Sequence, residues 1–161
     1  MNMHSTDHEA FMRVCGDLAR ESSNSGDLPF GSVIVRSGEI VAKGHNTGLT
    51  NVTGHAEINA INDFLLRHSR QELRDCSLYT NLEPCAMCAF LIRDCGIKRV
   101  IFSVASPHAG GYTRWNILSS EIPEPFTSYG IRAGPEVIGG VLAEENFRLF
   151  DSLNWKMHHS S

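Results

Sequence analysis

The spacing of apolar positions changes several times along the chain, and each change marks an element. Phe11, Val14, Cys15, Leu18 and Ala19 recur at i, i+3, i+4, i+7 and i+8, which is one face of a helix. Thr6 followed by Glu9 fits a capping box at its start. Pro29 then opens an apolar run from Phe30 to Val35, Ser37-Gly38 interrupts it, and a second run goes from Ile40 to His45. Two such runs about a Ser-Gly predict a hairpin. Ile58, Ile61, Phe64 and Leu65 predict a second amphipathic helix from His55 to about Arg67. Cys76 to Thr80 reads as a short buried strand, Pro84 as a helix start, Gly96 as its stop, and Val100 to Phe102 as another strand. A strand, a helix and a strand of this length predict a right-handed parallel crossover. Ser103 to Pro135 is rich in Gly, Pro and Ser, with one short helix expected near Trp115. A long irregular stretch of this kind is often a binding-site wall. A strand at Val137 to Leu142 and a helix from about Glu144 to Trp155, with Phe147, Phe150 and Leu153 inward, complete the pattern. The sum is an α/β chain, one mixed sheet with helices on its faces. Residues 1–161 are expected to form a single domain.

Composition narrows the class. Apolar residues make up 42% and charged residues 20%, which is ordinary for a globular chain and excludes general disorder. The longest unbroken apolar run, Cys85 to Ile92, is far short of the roughly 20 residues that a membrane span needs. The N-terminal MNMHSTDHEA is polar and carries acids, unlike a signal or transit peptide, so a cytoplasmic protein is expected. Net charge is −4 and the basic residues are scattered, so no basic stripe for nucleic acid is visible and nucleic acid is not an expected partner. Five cysteines without a secretion signal argue for a reducing compartment, where Cys85-x-x-Cys88 is read first as metal binding or redox.

Three polar clusters stand out: Gly44-His45-Asn46, His55-Ala56-Glu57 and Pro84-Cys85-Ala86-Met87-Cys88. One imidazole and two thiolates make a three-point seat for zinc. A fourth position left open holds a water that can ionise near neutral pH, and the hydroxide can attack a ring carbon bearing an amino group. The attacking water must lose a proton and the leaving amine must gain one. A single carboxylate beside the metal can move both, and Glu57 is the candidate. His55 and Cys85 are both expected at helix N-termini, where the helix dipole favours anions and lowers thiol pKa. Spacing alone does not bring Glu57 to the metal, because residues two apart lie on different faces of a regular helix. A structural metal site would need a fourth protein ligand. Cys76 and Cys95 are read instead as buried small apolar residues.

Together these clusters match H-x-E…P-C-x-x-C. From about Pro29 to Phe102 the sequence resembles the cytidine deaminase-like superfamily, in its nucleobase and tRNA-adenosine deaminase branch. The resemblance rests on Pro29-Phe30-Gly31, Gly44-His45-Asn46, His55-Ala56-Glu57 and Thr80-Asn81-Leu82-Glu83-Pro84-Cys85-Ala86-Met87-Cys88. It implies a three-layer α/β/α sandwich with a five-stranded mixed sheet. It implies one zinc per subunit, with a bound water or hydroxide, on His55, Cys85 and Cys88, and Glu57 as the proton shuttle. It further implies that Asn46 holds a polar group of the base, that the Ala56 backbone contacts it, and that Phe30 packs on its ring. Such enzymes are commonly homodimers.

Three functions remain in view. The first is hydrolytic deamination of a free nucleobase or related amino-heterocycle, with guanine leading and cytosine, a pterin, an aminotriazine or another purine also open. Pro29-Phe30-Gly31 resembles the guanine deaminases, and the final helix region is acidic where tRNA-acting relatives are basic. Guanine deaminases of this fold carry an acid in the long loop. Ser106-Pro107-His108-Ala109-Gly110-Gly111 has none, and His108 is the candidate replacement. The second is deamination of adenosine-34 in tRNA, which Gly140 to Glu145 resembles. The third is a catalytically silent, zinc-stabilised interaction module.

Overall fold

A computed structural model describes residues 5–121, 128, 130 and 132–157. In chain order the elements are α1 (Ser5–Asn24), β1 (Gly31–Arg36), β2 (Glu39–His45), α2 (Ala56–Leu65), a 3-10 helix (Arg70–Asp75), β3 (Ser77–Leu82), α3 (Ala86–Cys95), β4 (Arg99–Val104), β5 (Glu136–Ile138) and α4 (Ala143–Ser152). The five strands form one mixed sheet in the order β2-β1-β3-β4-β5. The first three pair antiparallel, and β3, β4 and β5 run parallel. The hairpin turns on Ser37 and Gly38, both at positive φ, as a two-residue turn between twisted strands requires. Ser37 is the exception to the glycine preference there.

The central strands bury both faces, so their apolar runs are continuous. Val33, Tyr79 and Ile101 pack with Met12, Cys15 and Leu18 of α1. Their neighbours Ile34, Leu78 and Val100 pack on the opposite face with Ala60, Ile61 and Phe64 of α2 and Ala89 and Ile92 of α3. That gives three layers. Gly44 lets α2 lie directly on β2, since a Cβ there would stand 2.4 Å from the Ala60 nitrogen. Gly96 ends α3 in the left-handed region, at φ 73°. Cys76 and Cys95 are buried and free, as expected. No described helix is long and apolar enough to cross a membrane.

Several expectations need correction. Thr6 lies inside α1 and so caps nothing. The described capping box is instead at Ser69 and Glu72, heading the 3-10 helix. The expected strand 137–142 is three residues long, because the regular ladder breaks at Gly139 and Gly140, the latter at positive φ, although the Gly140 and Val141 nitrogens still donate to the Ser103 and Phe102 carbonyls of β4. Gly111 to Trp115 forms a turn, closed by bonds from Arg114 and Trp115 nitrogens to the Gly110 carbonyl, and no helix. Phe150 is buried, but Phe147 is 50% exposed, since α4 presents only a narrow face to β4. His158 and His159, expected from the sequence to form a frayed tail, lie outside the described residues.

Candidate active site

His55 and Cys85 are the residues just before α2 and α3. Each has extended backbone angles, and neither side chain caps its helix. Both are therefore free to point to a common place, and they do. His55 Nδ1 lies 3.5 Å from Cys85 Sγ and 3.5 Å from Cys88 Sγ. Zinc bonds of about 2.3 Å to sulfur and 2.0–2.1 Å to nitrogen, at tetrahedral angles, span edges of roughly 3.5 Å. The three donor atoms lie within 4.8 Å of one another, and the soft N, S, S set suits zinc.

Glu57 joins them. Because His55 is the cap and not part of α2, the regular helical offset does not apply between the two. Glu57 is 7% exposed, with Oε2 3.5 Å from Cys88 Sγ and Oε1 accepting from Thr80 Oγ1 at 3.2 Å. Burial raises its pKa above the usual carboxylate value. The Cys88 thiol hydrogen-bonds onto Cys85 and, with His55 nearby, pulls the Cys85 thiol down to about 4. Cys88 is pushed the other way, by that same hydrogen bond and by burial. Zinc takes thiolates, so metal uptake releases the proton that Cys88 retains.

Asn46 follows β2 and is buried. Its Nδ2 donates to Asp27 Oδ1 at 2.6 Å, which fixes how the amide is turned. Asp27 also accepts from the Leu28 and Leu49 nitrogens. Burial pushes its pKa up, but these bonds outweigh burial and hold the carboxyl below its ordinary value. Asn81 ties β3 to the Pro29–Gly31 turn by accepting from the Gly31 nitrogen and donating to the Pro29 carbonyl. That turn carries Phe30, which packs edge-on against Trp155 (centroids 4.9 Å apart) and Phe150 (6.0 Å). Ala56 is buried at the first turn of α2. His108 is exposed in the loop after β4. An apolar cavity of about 720 Å³ is lined by Phe102, Pro107, Phe147, Phe150, Trp155 and Lys156 among others, and by none of the metal-seat residues.

Sequence reading does not single out Asp27, and it places Asn81 and Glu83 within the Thr80–Cys88 motif without giving either a definite role. Most of their partners lie 19 to 52 residues away in the chain, which no local pattern reveals.

The fold and this seat define a zinc-dependent hydrolase acting on C–N bonds, a deaminase. The model of the cytidine and deoxycytidylate deaminase zinc-binding region matches residues 5–104, and the chain belongs to that family. The tRNA-specific adenosine deaminase of Aquifex aeolicus is 38% identical over 113 residues, covering 68% of this chain and 75% of that one. The guanine deaminase of Bacillus subtilis is 44% identical over 84 residues, 50% of this chain and 54% of that one. A solved tRNA A34 deaminase superposes with TM-score 0.73 at 28% identity, covering 87% of this chain and 98% of that one.

Proposed function

We propose that residues 1–161 form one deaminase domain that acts on a purine base, with adenosine in a tRNA anticodon as the first substrate. The observation that carries the chemistry is the convergence of His55, Cys85 and Cys88 with the buried Glu57 beside them. Zinc on these three residues supplies a Lewis acid that makes water nucleophilic near neutral pH. Glu57 takes the proton from the attacking water and delivers it to the leaving amine, so the exocyclic C–N bond breaks and ammonia departs, and the hydroxyl left on the ring carbon becomes a carbonyl as its proton passes to the adjacent ring nitrogen. The Asn46 amide, held by Asp27, and the Ala56 backbone orient the base. Phe30 packs on its ring, and His108 borders the entrance.

The similarity to tRNA-specific deaminases supports the anticodon reading. It outweighs the lack of a basic stripe, which had favoured a small substrate. The aromatic cavity bounded by Pro107 and Trp155 offers room for the non-reacting part of a larger substrate. A specific observation keeps the free base, guanine foremost, as a second reading. Trp155 lies edge-on to Phe30, the residue read as packing on the base, and a guanine deaminase is among the relatives. The protein is read as a homodimer, with Met87 and Phe90 exposed on α3 as candidate contacts.

The test is ammonia release by the zinc-loaded protein from an adenosine-34 anticodon stem-loop, guanine, cytosine, adenine, a pterin and an aminotriazine. Turnover of the stem-loop alone supports the first reading, and turnover of a free base alone replaces it with the second. Silence across the panel favours the zinc-stabilised interaction module.

A further inference from the structure

Glu83 precedes Pro84 and Cys85 and is 2% exposed. A buried carboxylate is strongly disfavoured unless donors surround it. Here the donors come from one loop. Oε2 accepts from the Ser106 nitrogen at 2.6 Å. Oε1 accepts from the Thr113 nitrogen at 2.6 Å, Thr113 Oγ1 at 2.7 Å and the Tyr112 nitrogen at 3.2 Å. The loop is fitted around the carboxylate, since a Cβ on Gly110 would stand 2.1 Å from Oε2. The same loop is stitched to the metal-bearing turn. Gly110 forms a β-bridge with Cys85, and the Gly111 nitrogen donates to the Pro84 carbonyl at 2.7 Å. His108 sits between the anchored ends, two residues from Ser106.

We propose that Glu83 is a positioning residue that fixes the 106–113 loop, and with it Pro107 and His108, against the metal-bearing turn, and so governs substrate binding more than the chemical step. The proposal rests on the deaminase reading. An unanchored loop of this length would sample many conformations, and each binding event would have to order it again.

Glu83→Gln is the informative change because it keeps shape and volume. All four partners are donors, and an amide accepts at only one of its two ends. If the oxygen stays with Tyr112 and Thr113, the new NH2 meets the Ser106 N–H, and that end of the loop is released. The expected result has three parts. Zinc stays at one per chain. Hydrogen exchange rises at the Ser106 amide. KM for the best substrate of the panel rises about tenfold while kcat stays within about threefold. Thr113→Val, at an exposed position, removes one donor without touching the carboxylate and should shift exchange and KM the same way by less. Unchanged exchange with zinc retained overturns the proposal. So does faster exchange with KM unmoved, and so does loss of zinc, which would place the action of Glu83 on Cys85. If no substrate of the panel turns over, the deaminase reading fails by itself, and exchange at Ser106 still decides whether Glu83 holds the loop.

Discussion

The helix starts of this protein use their first residues in two different ways. The 3-10 helix Arg70–Asp75 opens on a complete capping box. Glu72 Oε2 accepts from both the Ser69 nitrogen and the Ser69 hydroxyl, at 2.7 and 3.0 Å, while Glu72 Oε1 pairs with Arg36. One carboxylate oxygen of Glu72 is used on the helix start itself and the other ties it to β1. Helices α2 and α3 open on His55 and Cys85, whose donor atoms turn away from their own backbones and toward each other. α4 also lacks a side-chain cap, but it opens on Leu142, which has no acceptor to offer. Among the described helix caps, only at the metal seat is a polar side chain present and withheld from its helix. An unfilled cap costs about 0.5–2 kcal/mol per helix, and at the seat zinc binding can return more than that.

The comparison breaks most visibly at His55. His55→Asn puts a favoured capping residue at the start of α2 and removes a metal ligand. Zinc should be lost and deamination should fall at least about 10³-fold, whereas the metal-free variant should melt about 2–4 °C above the metal-free wild type. A lower melting temperature in the metal-free comparison would show that His55 supports α2 by itself. Asp27 is intermediate, because it serves two backbone nitrogens and the Asn46 amide together. Its folded pKa is depressed, so its contribution is present above the unfolded value of about 3.9 and is lost as pH falls through the folded value. Asp27→Asn should therefore melt about 2–4 °C below wild type at pH 6–7, with the gap closing below about pH 4. Thermal scans across pH 3–7 check this. The smallest effect is expected at Ser69. Ser69→Ala should lower the melting temperature by about 2 °C and leave zinc content and turnover unchanged.

Much of this was legible in the sequence, where the information is local. The Ser37-Gly38 turn, the stop at Gly96 and the two-sided apolar strands follow from residues close in the chain. So do the metal ligands, since His55 and the Cys85/Cys88 pair each sit where a helix begins. Glu57 was legible as chemistry but not as geometry, because its approach depends on His55 standing outside the helix. The segment after β4 was least legible. Two buried polar side chains from outside it hold its backbone, Glu83 at one end and Arg93 at the other. Arg93 is 3% exposed, and it donates to the Arg132 and Ile117 carbonyls. Phe147 was misread because helical period marks a face without saying how wide the buried part of it is.

The central claim is that His55, Cys85 and Cys88 form a metal seat whose chemistry runs through Glu57. The most direct measurement is zinc content, melting temperature and ammonia release on the same preparations of wild type and Glu57→Ala, assayed with whichever substrate the panel identifies. The account predicts one zinc per chain in both, similar melting temperatures, and ammonia release lowered by about 10²–10⁴-fold in the variant. A Glu57→Ala protein that keeps its zinc and still turns over near the wild-type rate would contradict it.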